Sequence, residues 1–108
     1  MFRSPNPSPP SKVRATLKRT LFHSPYAVVA WAPPSDELDI PVDFYKVKLS
    51  LDNGRTWSYE PKVTNDSEPR FDHFWLPSNH GGYAFKVAAV STEGRTSAYS
   101  EPAKLFVY

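Results

Sequence analysis

Tyr26-Ala27-Val28-Val29-Ala30-Trp31-Ala32-Pro33-Pro34, residues 26–34, decide how the rest of the chain reads. Successive side chains of an extended strand point to opposite faces. Ala27, Val29 and Trp31 therefore share one side of a strand predicted over Tyr26–Trp31. Ala32-Pro33-Pro34 ends it, because proline has no amide donor for a ladder. Burying an aromatic the size of Trp31 is worth roughly 1.5–3 kcal/mol or more, which calls for a second layer above the indole.

The same alternation recurs on both sides of this stretch, broken by turn residues. Val13–Leu17 alternates with Val13, Ala15 and Leu17 on one face and Lys12, Arg14 and Lys18 on the other. Asp43–Leu51 turns Tyr45, Val47 and Leu49 inward and Lys46 and Lys48 outward. A fourth strand is predicted over Thr56–Val63, marked as an edge by Pro61. Arg70–Leu76 carries Phe71, Phe74 and Trp75. Gly82–Val90 turns Tyr83, Phe85, Val87 and Ala89 inward and Lys86 outward, and Ala103–Val107 closes the series. No apolar pattern of helical period lasts beyond a turn, and twelve prolines are scattered through the chain. Seven short strands predict an all-β, seven-stranded antiparallel immunoglobulin-like β-sandwich.

Several of these residues, taken in order, resemble a fibronectin type III domain over about residues 9–107. A proline-led first strand begins at Pro10. Trp31-Ala32-Pro33-Pro34 matches the end of the second strand, and Tyr45-Lys46-Val47 the start of the third. Leu76-Pro77 precedes Tyr83, and Glu93-Gly94-Arg95-Thr96-Ser97-Ala98-Tyr99-Ser100-Glu101-Pro102 matches the closing stretch. The resemblance implies fibronectin type III topology, with Trp31, Tyr45, Leu76 and Tyr83 as structural residues. It also implies a tyrosine corner in which the Tyr83 hydroxyl bonds back to upstream backbone. The family usually has one residue between Leu and Pro and three more before Tyr. Here Leu76 and Pro77 are adjacent and five residues, Ser78–Gly82, precede Tyr83, which predicts a longer, glycine-bent corner. A second, shorter resemblance covers Ser50-Leu51-Asp52-Asn53-Gly54-Arg55-Thr56-Trp57, similar to the Asp-box hairpin of sialidase-like propellers. Asn53-Gly54 suits a turn with positive φ, and Asp52 is expected to accept from turn amides. The octapeptide is read as a structural hairpin between the third and fourth strands, since one box cannot make a propeller.

The 108 residues fit one domain, with 1–10 as a proline-rich linker and 11–108 as the fibronectin type III-like domain. Pro7-Ser8-Pro9-Pro10-Ser11-Lys12 also fits a short proline-rich ligand for an aromatic-grooved adaptor, a common pattern. Aromatic residues at 15% suffice for a compact core. With no cysteine, disulfides and thiolate chemistry are excluded. A net charge of +2 falls short of a nucleic-acid binder, and no apolar run of about 18 residues exists to insert in a membrane. The basic, proline-rich start is no secretory signal, so the chain is expected to be excised from a longer parent.

Chemistry finds little foothold. Ser78, His80 and Asp72 compose a triad only on paper, without a nucleophile elbow or oxyanion hole. His73 and His80 with Asp72 are weak metal ligands, and His23 is a lone loop histidine. The four glycines form no phosphate loop. No enzyme activity, cofactor or metal is therefore expected. Asn65-Asp66-Ser67 is a glycosylation acceptor in a polar loop. Lys46, Lys48 and Lys86 are expected on one sheet face, extended by Arg55 and Lys104. Such a face suits a sulfated glycan or an acidic partner, or simply guards against edge-to-edge association. Trp57, Tyr59 and Tyr99 are candidates for exposed contact aromatics. The leading expectation is a non-catalytic protein-interaction, adhesion or spacer module of a larger extracellular or cell-surface protein, bound by protein partners and neighbouring domains. The alternatives are a heparan-sulfate or glycosaminoglycan-binding module, an intracellular (cytoplasmic) scaffold domain, and an accessory domain of a larger enzyme.

Overall fold

The computed structural model describes residues 5–22, 24–78 and 80–108, so His23 and Asn79 lie outside the described residues, as does the start of the proline-rich stretch. Among the described residues there are seven strands: β1 (Ser11–Lys18), β2 (Tyr26–Ala32), β3 (Val42–Ser50), β4 (Lys62–Val63), β5 (Arg70–Trp75), β6 (Gly81–Ser91) and β7 (Ala103–Val107). They form two antiparallel sheets, one ordered β1-β2-β5 and the other β4-β3-β6-β7. This is the sandwich expected from the alternation.

The core lies between the sheets. Ala27, Val29 and Trp31 of β2 and Phe74 of β5 face Tyr45 and Val47 of β3 and Phe85, Val87 and Ala89 of β6. Trp31 meets Tyr45 edge to face, with ring centroids 5.0 Å apart and planes at 68°. That geometry suits the ring quadrupoles. Phe74 meets Phe85 in the same manner at 5.3 Å. These two contacts, β2 to β3 and β5 to β6, join the layers.

The fourth strand is far shorter than expected. Only Lys62 and Val63 pair with β3, opposite Val47 and Lys46. Pro61 offers no donor, and the segment before it is bound differently. The Ser58 amide donates to the Leu49 carbonyl at 2.9 Å, and the Ser58 hydroxyl accepts from the Leu49 amide at 3.2 Å. Thr64 does the same to Tyr45, at 3.0 and 2.9 Å. Each hydroxyl takes the place of a carbonyl, so β3 is satisfied without a regular neighbour. The device recurs on the far side of β6. Ser97 closes such a ring on Ala89 and Ser100 on Val87.

Two irregularities shape the smaller sheet. Lys12 takes a left-handed φ of 53°, and the β1–β2 ladder shifts between Ser11 and Arg14. On β5, Ala27 pairs with Phe74 and Val29 with Phe71, so Asp72 and His73 together oppose Val28. This bulge lets both phenylalanines face inward although they are three positions apart. It also puts His73 beside Tyr26, stacked at 4.4 Å, with Trp75 tilted against Tyr26 at 5.1 Å.

The Tyr83 hydroxyl donates to the carbonyls of Ser78 at 3.1 Å and His80 at 3.4 Å, as the tyrosine-corner expectation requires. Gly81, at φ 131°, bends the chain into β6. Pro7 and Pro10 are buried, and Ser8 is tied to the β2–β3 connection. Its amide reaches both Asp36 oxygens at 3.2 Å and its hydroxyl donates to Oδ2 at 2.8 Å. The Ser8 hydroxyl bond is the main reason the Asp36 carboxyl sits below its usual pKa.

The two core tyrosines should respond oppositely to loss of the hydroxyl. The Tyr45 hydroxyl is buried without a hydrogen-bond partner, as is Trp31 Nε1. Burial raises the Tyr45 pKa; the indole N–H of Trp31, near the oxygen but outside hydrogen-bond geometry, offsets part of the rise, and the Glu37 charge adds to it. Tyr45→Phe should be neutral or slightly stabilising in urea denaturation, whereas Tyr83→Phe should cost about 1 kcal/mol. At the amino end, Asp36→Ala should speed exchange of the Ser8 amide and leave exchange in the sheets unchanged.

Candidate functional site

The outer face of the four-stranded sheet is built by the same alternation that builds the core. With Tyr45 and Val47 turned inward, Lys46 and Lys48 must turn outward, and Lys86 does so between Phe85 and Val87. Lys48 and Lys86 are direct cross-strand partners. Lys46 lies opposite Ala88, and Lys104, exposed on β7, lies opposite Ala84. Structure thus brings four of the five expected basic residues onto one face. Arg55 is exposed at the tip of the hairpin after β3.

That hairpin folds over the same face. Asn53 and Gly54 both take positive φ, 63° and 99°, which turns the chain sharply. Ser50, fully buried, donates to Asp52 Oδ1 at 2.7 Å and accepts from the Gly54 amide at 2.8 Å. Asp52 accepts from the Thr56 amide at 2.8 Å and the Thr56 hydroxyl at 2.6 Å. These bonds favour the carboxylate, those from Thr56 most, and hold its pKa far below the usual range. The hairpin expected from the Asp-box likeness is therefore locked through its side chains.

The lock delivers Trp57 to Lys86. The Lys86 ammonium lies 4.4 Å from the Trp57 ring centroid and 4.9 Å from that of Tyr99. Lys48 lies 5.5 Å from the Tyr99 centroid. Each contact of this kind is worth about 0.5–1 kcal/mol at exposed sites. Burial, followed by the charge of Lys48, lowers the Lys86 pKa; burial raises that of Tyr99. Like charges directly opposite on a sheet are destabilising, so the aromatic pair offsets a repulsion that the register creates. Trp57 and Tyr99 are only half exposed, whereas Tyr59 is open to solvent.

The remaining candidates scatter. Asn65 is exposed in the β4–β5 loop. There the Asp66 carboxylate accepts from the Glu68 amide at 2.9 Å, and its carbonyl accepts from Thr64. The loop borders a shallow depression of about 370 Å³ with Arg70, Phe71 and His73. Asp72 pairs with Arg70 at 2.5 Å on β5. Ser78 accepts from the His80 amide at 3.3 Å in the corner before β6. Asp72 and Ser78 of the paper triad are thus committed to local contacts. Among the described residues, no group of three or more histidine, aspartate or glutamate side chains is arranged to hold a metal. Trp31, Tyr45, Leu76 and Tyr83 are all buried in the core. The Tyr26–His73–Trp75 stack was not foreseen. Only the β5 bulge creates it, and alternation alone carries no signal of a bulge.

Asp52 gives this face a pH dependence. Its folded pKa is depressed, so its contribution is fully present above the unfolded value near 3.9 and is lost as pH falls through the folded value. Stability should decline from about pH 4 downward. Asp52→Asn should be less stable at neutral pH and show a flatter acid limb in denaturation. Its Trp57 emission should move toward that of a solvated indole.

No protein-family model and no curated protein matches the sequence. Solved structures do. The chain is similar to domains A168–A170 from titin, at TM-score 0.73 and 21% identity over 94% of this chain, and it spans 32% of that structure. It is similar to the human fibronectin type III domain of fibronectin type III domain containing protein 3, at TM-score 0.66 and 22% identity, covering 98% of this chain and 90% of that one. Titin module A71 from human cardiac muscle matches at TM-score 0.68 and 24% identity, over 93% and 89% of the respective chains. Strand order, core and these likenesses agree: the chain has the fibronectin type III fold.

Proposed function

We propose that this chain is a non-catalytic interaction and spacer module of a larger extracellular or cell-surface protein. The observation that carries the reading is the placement of its ends. β1 begins at the pole where Ser11 meets Ala32, while β7 finishes at the opposite pole, where Val107 meets Gly81. Arg19, just past the far end of β1, donates to the Tyr108 carbonyl there. A chain that enters at one pole and leaves at the other suits a link in a linear series of domains. The structural neighbours are likewise single domains or modules of larger proteins, which supports the reading. Fold alone does not name a function, so the reading rests on this geometry.

The exposed Asn65 acceptor supports the extracellular half of the proposal. Enzymatic deglycosylation of the native protein in heavy-oxygen water should convert Asn65 to a labelled aspartate, read by peptide mass spectrometry. An unmodified Asn65 throughout the native population would overturn the glycoprotein assignment and favour the intracellular scaffold instead.

A further inference from the structure

Register arranges the lysines of the larger sheet as a diagonal stripe. Lys46 stands at the level of Ala88, Lys48 and Lys86 share the next outward level, and Lys104 stands one level further, opposite Ala84. Outward levels along a strand are about 7 Å apart, and neighbouring strands are about 5 Å apart. The four positions therefore run for about 17 Å from β3 across β6 to β7 at the sheet edge. No carboxylate forms an ion pair with any of them among the described residues. At the centre, two ammoniums are held together over one tyrosine ring.

We infer that this stripe binds a sulfated polysaccharide, whose sulfate groups lie along it with one set between Lys48 and Lys86. The inference rests on the reading of the chain as a binding module and names its partner. Two observations select this occupant. First, a row of like charges without carboxylate partners is matched along its whole length by a polyanion extended in the same direction. Second, the ring faces of Trp57 and Tyr99 toward the stripe are already taken by Lys86 and Lys48. A single-stranded nucleic acid needs free aromatic platforms on which bases stack, and these rings do not offer them. An acidic peptide that binds tightly needs a buried anchor pocket, and Ala84 and Ala88 between the lysines are already covered by the chain itself. What the face presents is charge in a line.

The chain applied to immobilised heparin should be retained at about 0.15 M salt and released by higher salt, because the contacts are screened electrostatic ones. Lys46→Gln with Lys104→Gln alters side chains that touch no ring. It should weaken binding at least tenfold while leaving the thermal midpoint unchanged. Adding Lys48→Gln should abolish retention. Arg14→Gln with Lys18→Gln, on the other sheet, should leave retention as it was. Heparin stripped of its sulfates should not hold the protein.

Undiminished retention of the triple variant, or equal loss from the Arg14/Lys18 pair, would overturn the stripe. Equal retention on desulfated polymer, or equal competition by polyglutamate or a single-stranded oligonucleotide of matched charge, would overturn the sulfated partner. None of these outcomes touches Asn65 or the placement of the chain ends, so the module reading stands or falls separately.

Discussion

The edge-to-face contact of Trp31 with Tyr45 joins the two sheets, and the outer surface inherits its arrangement from it. Once Tyr45 is committed to the interior, period two commits Val47 with it and expels Lys46 and Lys48. Once Phe85 and Val87 are buried, Lys86 has only the outside. Shifting β3 by one residue would bury two ammoniums, and shifting β6 would bury one; either would expose the core, at a cost no surface contact could offset. The basic face is thus a by-product of the interior that no local sequence of its own specifies. The contact also carries a defect. Trp31 Nε1 and the Tyr45 hydroxyl are both buried without hydrogen-bond partners, so shape and apolar area hold the layers rather than polar bonding.

Four hydroxyl side chains solve the problem of ending a sheet inside a small protein. Ser58, Thr64, Ser97 and Ser100 each return to a strand residue and close a two-bond ring, amide to carbonyl and amide to hydroxyl. A regular strand must keep pace with its neighbour residue by residue, whereas a hydroxyl ring binds at a single point. Between Ser58 and Thr64 the chain is free to pass Pro61, and between Ser97 and Ser100 it presents Tyr99 to the lysines. The aromatic bracket around Lys86 depends on both departures.

Much of the fold was legible because burial imposes a period. The six longer strands could be read from alternating apolar residues to within a residue or two, and the hairpin from Ser50, Asp52, Gly54 and Thr56, whose chemistry is local. The short β4 was not legible. Tyr59 and Val63 look like strand residues, and serine and threonine hydroxyls that replace a carbonyl resemble ordinary turn residues. The β5 bulge was hidden for a related reason: Phe71, Phe74 and Trp75 are apolar on both faces, so no contrast marks the extra residue. For the candidate face, alternation put Lys46, Lys48 and Lys86 outward. It could not show that Lys48 and Lys86 stand opposite each other, because register between distant strands depends on the whole core. Their embrace by Trp57 and Tyr99 required the folded loops.

The placement of the first and last strands has a mechanical meaning as well. A load drawn between the two ends pulls β1 and β7 in opposite directions, each along its own axis, with β2 and β6 as their hydrogen-bonded neighbours. Bonds that lie across the line of pull are strained together, not one after another as in an unzipped hairpin. Tension would then meet collective resistance up to a threshold and abrupt rupture beyond it, the behaviour of a link that either holds its length or lets go.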